Sequence, residues 1–375
     1  MKQIAIAALA ALLLGTSAAK AECNQPMPGA VSRVKLTGHP FSAIPSHDGC
    51  AIFVSLPGER LSQLLVMGRD NGAIAPLHSI PIRGGLTGMA LSPDGHFLAA
   101  ASGSGVMIFD TAKLVARGGD PQVASSDDGP NAGSIYAAFT PDQHLLFVAN
   151  EGSASLSVYD VSGLPGSLKK IGQVPVGVAP VGLAISSDGK YLYSTSEIGP
   201  RAWPSKCTTE GPLHPEGLLA VIDIAKAGAD PSHALASGVP AGCSPVRTVL
   251  SADGATLYVT ARGDNMLLAF DTAKLPNDSA HARLAGVTVG SAPVGVIAIK
   301  SKVIVTNSNR FAGGDNQTLS VLNAADLSSR PSSIPAGGFP RELAVTPDGN
   351  TMLVTNFMSG DLELVDLRRL DQAAK

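Results

Sequence analysis

The sequence has few aromatic residues and few charges. Aromatic side chains make up 4% of its 375 residues, with a single Trp, and charged ones 15%, with a formal net charge of −3. No run or stripe of Lys and Arg occurs, which argues against nucleic acid as a partner. Beyond the N-terminal segment, no stretch is long and apolar enough to cross a bilayer, so we expect no membrane insertion.

The sequence also lacks the short motifs that mark common catalytic and cofactor sites. It contains no C-x-x-C-H sequence for haem, no G-x-S-x-G nucleophile elbow, no H-E-x-x-H zinc site and no phosphate-binding glycine loop. The eight His are scattered singly, and the long loop at residues 307–318 holds one Asp, too few for a calcium site. We therefore expect no cofactor and no metal, and whether the protein is an enzyme stays open.

The first 21 residues have the pattern of a secretory signal peptide. Lys2 gives a positive start, residues 4–14 are apolar, and residues 19–21 form a small-x-small cleavage site. The apolar run is shorter than the roughly 20 residues that a membrane-spanning helix needs. We expect a cleaved, periplasmic or secreted protein that forms one domain over residues 22–375 and is a monomer.

A repeated unit fills the rest of the chain. Each copy reads as an apolar strand, a turn, a second apolar strand, a polar loop and a third strand that ends on Asp or Asn. The turns recur roughly every 46 to 48 residues, with one interval of about 65. Most are Asp-Gly, a strong hairpin signal because both residues accept positive φ. They lie at residues 48–49, 94–95, 142–143, 188–189, 253–254, 301–302 and 348–349.

These copies predict an all-β fold, a seven-bladed β-propeller of four-stranded antiparallel blades. One copy cannot bury its own faces, so the copies must stack. The second strand of each copy is apolar throughout, which favours burial on both faces. The last copy ends soon after its third strand, so we expect residues 31–36 to complete blade 7 and close the ring, removing an open edge.

The blade arrangement predicts how the four cysteines pair. With strands named A to D from the axis outward, the B–C and D–A loops lie on the top face and the A–B turns on the bottom. Cys207 and Cys243 then lie on the top of blades 4 and 5, whereas Cys23 and Cys50 lie at the bottom near the seam. Of three possible pairings, only Cys23–Cys50 with Cys207–Cys243 joins near neighbours.

Several strands resemble the YVTN-type β-propeller repeat family (YncE-like or lactonase-like seven-bladed propellers). They are YVTA at 258–261, IVTN at 304–307, LVTN at 353–356 and FVAN at 147–150, with P-x-x-x-x-x-S-x-D-G at 180–189 and 245–254. The resemblance covers residues 37–370 and implies a seven-bladed propeller like those of surface-layer and periplasmic binding proteins. The same architecture also occurs in lactonase-like hydrolases, so the activity does not follow from the fold.

Propellers bind ligands at the top mouth of the central channel, and the sharpest candidates there are Arg247 and Arg341. Both follow the Pro that opens strand A, at what we take to be one repeat position, where other copies have Gly182 and Gly295. Their guanidinium groups could clamp a carboxylate or phosphate, or could bond carbonyls of the neighbouring blade. The mouth is also expected to contain Tyr136, Asn150, Glu151, Ser196, Glu197, Arg262, Asn307, Arg310, Glu342, Asn356 and Phe357.

Two sets of recurring polar residues suit structural roles. Asn150, Asn307 and Asn356 end strand B, where Asn commonly caps loops through its own hydrogen bonds. The Asp that closes strand C recurs in most copies, so we predict that it caps the C–D turn and takes no part in catalysis. This Asp is found at 110, 160, 223, 271 and 366.

An insertion at residues 197–217, in the B–C loop of blade 4, accounts for the long interval between turns. It carries Trp203 together with Arg201, His214 and Glu216. These side chains could form a lid over the mouth that stacks on a ligand. The alternative is a passive loop whose Trp packs on the adjacent blade.

Two functions from different classes fit the sequence. The first is an exported scaffold that binds a small anionic molecule or a protein partner at the mouth. The second is a lactonase-like hydrolase, in which Arg247 and Arg341 hold an anionic lactone while Glu197 or Glu342 activates water. The absence of a recognisable acid–base motif favours the binding scaffold.

Overall fold

Seven four-stranded antiparallel sheets form the computed structural model, which describes residues 23, 27, 29–70, 72–208, 211–310 and 317–370. In six sheets the strands follow the chain order from A to D, and the seventh takes its outer strand from the N-terminal side. The predicted all-β, seven-bladed propeller is confirmed. The predicted signal peptide, residues 1–21, lies outside the described residues.

Each blade runs from strand A at the channel to strand D at the periphery. In that order, blade 1 contains Ser42–Pro45, Ala51–Leu56, Leu61–Asp70 and Ala73–Arg83, and blade 2 contains Met89–Leu91, Phe97–Ala101, Gly105–Asp110 and Gln122–Asp127. Blade 3 contains Ser134–Phe139, Leu145–Asn150, Ser155–Asp160 and Lys169–Pro175, and blade 4 contains Val178–Ile185, Tyr191–Ile198, Leu218–Asp223 and Leu235–Pro240. Blade 5 contains Pro245–Leu250, Thr256–Ala261, Met266–Asp271 and Arg283–Thr288, and blade 6 contains Pro293–Ile299, Lys302–Asn307, Thr318–Asn323 and Ser332–Pro335. Blade 7 contains Pro340–Val345, Thr351–Asn356, Asp361–Asp366 and Val31–Lys35.

The A–B turns are stabilised by their own side chains. In blade 4 the Ser186 hydroxyl donates to Asp188 Oδ1 at 2.7 Å, and the same carboxylate accepts from the backbone N–H of Lys190. The residue after this Asp needs a left-handed backbone, which glycine supplies at Gly189 (φ 70°) and Gln143 adopts in blade 3 (φ 58°). The Asp-Gly turns therefore form as predicted.

The Asp that closes strand C caps the following turn, as predicted. Asp160 Oδ1 accepts from the backbone N–H of Ser162 at 3.0 Å. In blades 2 and 4 this Asp is the N-cap of a short helix, α1 (Thr111–Ala116) and α2 (Ile224–Ala229). These helices have six residues each, too short for a helical period to show in the sequence. The 3₁₀ turns are Pro231–His233, Arg262–Asp264, Ser279–His281 and Leu367–Arg369.

The core consists of apolar layers between neighbouring blades. Every blade–blade contact in the described part of the chain has its own cluster of buried side chains. Strand B supplies both layers, because its side chains alternate between the two neighbours. All six residues of Ala51–Leu56 and of Thr351–Asn356 are buried. The predicted burial of strand B on both faces is thus confirmed.

The two ends of the propeller meet in blade 7. Val31–Lys35 pairs antiparallel with Asp361–Asp366, with Val31 opposite Val365 and Lys35 opposite Asp361. The Cys23–Cys50 disulfide and the ion pair of Arg69 with Asp348 (3.4 Å) tie the bottom of the seam. Ring closure therefore follows the sequence prediction.

The insertion in blade 4 forms a small hairpin, Ser205–Cys207 with His214–Pro215. The Cys207–Cys243 disulfide fixes it to the loop entering blade 5, so both predicted pairings are present. Such bonds are typical of proteins that fold in an oxidising compartment. No helix among the described residues is long and apolar enough to span a membrane.

Candidate functional site

Backbone hydrogen bonds define which residues are equivalent at the channel mouth. The N–H groups of Arg247 and Glu342 donate to the hydroxyls of Thr260 and Thr355, each on strand B of the same blade, at 3.0 Å. Gly295 makes the same bond to Thr306 at 2.7 Å. Glu342 is thus the counterpart of Arg247. The sequence alignment of Arg341 with Arg247 was wrong by one residue.

In blades 4 to 7, the hydroxyl at this position of strand B links the blade to the next one around the channel. Each one donates to the carbonyl of the residue after the opening Pro of the following blade. The pairs are Thr195 with Val246 (2.7 Å), Thr260 with Val294 (2.8 Å), Thr306 with Arg341 (3.2 Å) and Thr355 with Phe41 (3.2 Å). Blade 3 has Ala149 at this position, so it offers no hydroxyl to the carbonyl of Val181 in blade 4.

Arg247 supplies that missing donor. Its Nη1 donates to the Val181 carbonyl at 2.7 Å, while Nε and Nη2 donate to Oε1 of Glu342 at 2.9 and 2.6 Å. Blade 6, between the two partners, has Gly295 at the equivalent position and places no side chain between them. The guanidinium also lies over the Tyr136 ring, 4.6 Å from its centroid. Arg247 is therefore fully engaged by the protein.

The Arg247–Glu342 pair is buried, and each charge stabilises the other. Arg247 is 5% exposed and Glu342 is 7% exposed. Burial is the largest influence on the pKa of Arg247 and acts to lower it, but the interactions with Glu342, Tyr136 and Glu151 together outweigh burial, so the pKa is raised. Burial and the same carboxylate raise the pKa of the Tyr136 phenol. At neutral pH this part of the channel holds a closed ion pair and a neutral phenol.

Arg341 has a different environment. Its guanidinium carbon lies 3.8 Å from the Phe41 ring centroid, 5.8 Å from that of Phe339 and 6.0 Å from that of Phe357. It has no carboxylate or hydrogen-bond partner among the described residues, and its buried Nε is unsatisfied. Burial, reinforced by the nearby Arg247, lowers the pKa of Arg341 to about 10. Arg341 is thus a partly exposed cation that packs on aromatic rings and makes no ion pair, although the Glu342 and Glu151 carboxylates act on it at longer range.

A second ring of charges lies where strand B ends. Glu151, Glu197 and Arg262 occupy equivalent positions in blades 3, 4 and 5, two residues beyond the Thr position. Arg262 Nη2 pairs with Glu197 Oε1 at 2.9 Å. Glu151 is partly buried and has no cationic partner among the described residues. Burial, with a contribution from the Glu197 carboxylate, raises the pKa of Glu151.

The three Asn residues bind within their own blades. Their side-chain nitrogens donate to strand C of the same blade: Asn150 to Ser157 (2.9 Å), Asn307 to Ser320 (2.9 Å), and Asn356 to Asp361 (2.7 Å) and Glu363 (2.8 Å). All three are buried. These contacts join strands B and C and do not cap a loop: Oδ1 of Asn150 accepts from the Ser134 hydroxyl, and Oδ1 of Asn307 and Asn356 accepts no hydrogen bond among the described residues. The predicted loop-capping role is therefore wrong, although the residues are structural. Arg310 is exposed at the end of the described part of the blade 6 loop.

The insertion begins at the mouth with Glu197, but Trp203, Lys206 and Glu216 lie beside the outermost strand of blade 4. Trp203 lines a groove of about 340 Å³ beside Gly238–Pro240, in the outermost strand of blade 4, and Ser279–Ala280 of blade 5. Glu216 pairs with Lys206 at 2.8 Å, and Arg201 is exposed. Trp203 therefore packs at the outer edge of blades 4 and 5, as expected for the alternative of a passive loop, and does not form a lid over the mouth.

Some mouth residues were missed in the sequence. Phe41 and Phe339, which flank Arg341, were not identified, although Phe41 follows a Pro just as Arg341 does. Aligning Pro40 with Pro340 would have placed Phe41 and Arg341 together. No sequence pattern signals the pairing of Arg247 with Glu342, because it joins blades 5 and 7 across the space that Gly295 leaves open in blade 6.

Solved structures resemble this chain over most of its length. A chain of the hydrazine synthase of Kuenenia stuttgartiensis matches with a TM-score of 0.67 at 16% identity, covering 91% of this chain and 98% of that one. A chain of a mitotic checkpoint complex matches with 0.66 at 17% identity, covering 92% and 96%. The β-propeller domain of Cps50 (Swd1) from Myceliophteria thermophila matches with 0.65 at 14% identity, covering 90% and 98%.

These similarities show the fold alone. The fold is a seven-bladed β-propeller. At such low identities nothing about ligand or activity follows from them. No protein-family model and no curated protein matches the sequence, so membership of the YVTN-type family stays a resemblance.

Proposed function

We propose that this protein is an exported binding protein that captures a small anionic molecule at the top mouth of its channel. The observation that carries the proposal is Arg341, a cation that lies among three phenylalanine rings and has no ion pair or hydrogen-bond partner among the described residues. A carboxylate or phosphate would supply the missing partner through two parallel hydrogen bonds. Phe41, Phe339 and Phe357 would pack against the apolar part of the ligand.

The other charged residues of the mouth support the proposal because they hold the blades around Arg341 in place. Arg247 and Glu342 satisfy each other, so their contribution is to hold blades 4, 5 and 7 in place around the site. The enclosed position of Arg341 favours a small molecule over a flat protein surface. The two disulfides support export.

The lactonase alternative has less support. The carboxylates that it would use to activate water, Glu197 and Glu342, both already pair with arginines. Each carboxylate is therefore already engaged, and its ion pair would have to open before it could bind and activate a water molecule.

Calorimetric titration of the mature protein with a panel of small carboxylates and phosphates tests the proposal. Wild type should bind at least one of them, and Arg341→Met should lose the binding. Arg330→Met, at an exposed arginine in the C–D connection of blade 6, is the matched control and should bind like wild type. Equal binding by Arg341→Met would overturn the proposal, and turnover of a lactone panel would favour the hydrolase.

A further inference from the structure

We infer that the ligand of the mouth carries an ammonium group as well as an anionic group, and lies across the channel between Arg341 and Glu151. This inference rests on the proposed function and specifies the ligand class of the same site.

The first step is the pairing of charges at the mouth. Arg247 pairs with Glu342, and Arg262 pairs with Glu197. Arg310 also has an interaction partner. Among the described charged residues of the mouth named above, this leaves Arg341 and Glu151 without an ion pair. One is a cation and the other an acid, so a ligand that satisfies both must carry both charges.

The second step is their placement around the ring. Arg341 belongs to blade 7 and Glu151 to blade 3, so blades 1 and 2 separate them on one side and blades 4 to 6 on the other. The two groups therefore face each other across the mouth. At the positions equivalent to Arg247 and Arg262, blades 1 and 2 have only small or neutral residues: Ser42 and Gly88, and Pro57 and Gly103. A ligand on this side meets no competing charge.

The third step is electrostatic. The Glu151 carboxyl interacts with Arg341 and with the Glu197 carboxylate, and burial with this like charge raises its pKa. Burial and the like charge of Arg247 lower the pKa of Arg341. Each group thus has opposite charges nearby but no direct ion pair with any of them. A simple anion would compensate Arg341 but would be repelled by Glu151, whereas a zwitterion compensates both.

Matched pairs of probes test this inference by calorimetry. The first series is 4-aminobutyrate, 5-aminovalerate and 6-aminohexanoate, and the second is butyrate, valerate and hexanoate. We expect the best amino acid to bind wild type about tenfold or more tightly than the carboxylate of equal length, since a hydrogen bond to a charged group contributes at least that much. The chain length that binds best reports the span of the mouth.

Variants assign the effect to the two residues. Glu151→Gln should abolish the preference for the amino series while it leaves carboxylate binding, and Arg341→Met should abolish binding of both series. Glu59→Gln, at an exposed carboxylate in the loop of blade 1, is the control and should keep the preference. If wild type binds both series equally and Arg341→Met still loses binding, this inference is wrong and the proposed function stands. If wild type binds neither series, both fail.

Discussion

Arg341→Met should stabilise the free protein, although it removes the ligand-binding cation. Burial and Arg247 lower the pKa of Arg341 from 12.5 to about 10. At about 1.4 kcal/mol per pH unit, this corresponds to roughly 3 kcal/mol of unfavourable interaction for the charged form. Stacking on Phe41 returns about 0.5–2 kcal/mol of it. Methionine is shorter than arginine, but its unbranched apolar side chain can still pack on the aromatic rings, so we expect the free energy of unfolding to rise by about 1–2 kcal/mol.

Arg247→Met should have the opposite effect. It would remove both hydrogen bonds to Glu342 and leave this carboxylate buried without its partner. Breaking a buried pair in this way costs about 3–5 kcal/mol. It would also leave the Val181 carbonyl without its side-chain donor. The same substitution at two arginines of the channel mouth should thus change stability in opposite directions.

Urea denaturation of wild type and both variants measures the changes in the free energy of unfolding. Equal m-values would show that the three proteins can be compared directly. The lowered pKa means that the penalty at Arg341 is fully present below about pH 10 and fades only above it. The gain from Arg341→Met should therefore be constant across neutral pH. A loss of stability in Arg341→Met would show that a partner already satisfies Arg341, and the proposed function would lose its main support.

Three further predictions concern other parts of the structure. Burial raises the pKa of Glu151, so its contribution to stability is present below its unfolded value of 4.5 and lost as the pH rises through the raised pKa; Glu151→Gln should match wild type at about pH 4 and exceed it in thermal stability at about pH 7. Replacing Cys207 and Cys243 together with Ser should lower the free energy of unfolding by about 2–4 kcal/mol and make the insertion susceptible to limited proteolysis, with ligand affinity unchanged. Gly182→Ala should cost about 1–3 kcal/mol in chemical denaturation, because the added Cβ would lie 2.5 Å from the Val246 carbonyl.

The fold was predictable because its determinants are local and repeated. The Asp188-Gly189 turn is stabilised by hydrogen bonds within five residues of chain, and the same pattern recurs in most blades. The ring closure by Val31–Lys35 was predictable for a different reason, namely that blade 7 would otherwise lack its outer strand. Both follow from period and alternation, which a single sequence displays directly.

The site was predictable only in part. Arg247 and Arg341 were expected at the mouth as one repeat position, but Arg247 is the second residue after the Pro that opens strand A and Arg341 is the first. The irregularity after this Pro is the same in blades 5, 6 and 7, so counting from the Pro would have separated the two residues. That Glu342 bonds to Arg247 while Arg341 lies among aromatic rings depends on contacts between blades, which the sequence does not show. The direction of the insertion was not predictable either. A loop of this length can fold inward or outward, and the choice depends on how Trp203 packs against blades 4 and 5.

The antiparallel pairing of Val31–Lys35 with Asp361–Asp366 has a consequence for the order of folding. These partners are about 330 residues apart, so the strand that emerges first from the ribosome cannot pair until the last blade has been made. Until then blade 7 has no outer strand and the ring is open, with an apolar edge exposed. The time that the ring stays open therefore sets how long this edge is available for pairing with another chain. The strand to protect during that time is Asp361–Asp366, all of whose residues become buried when the ring closes.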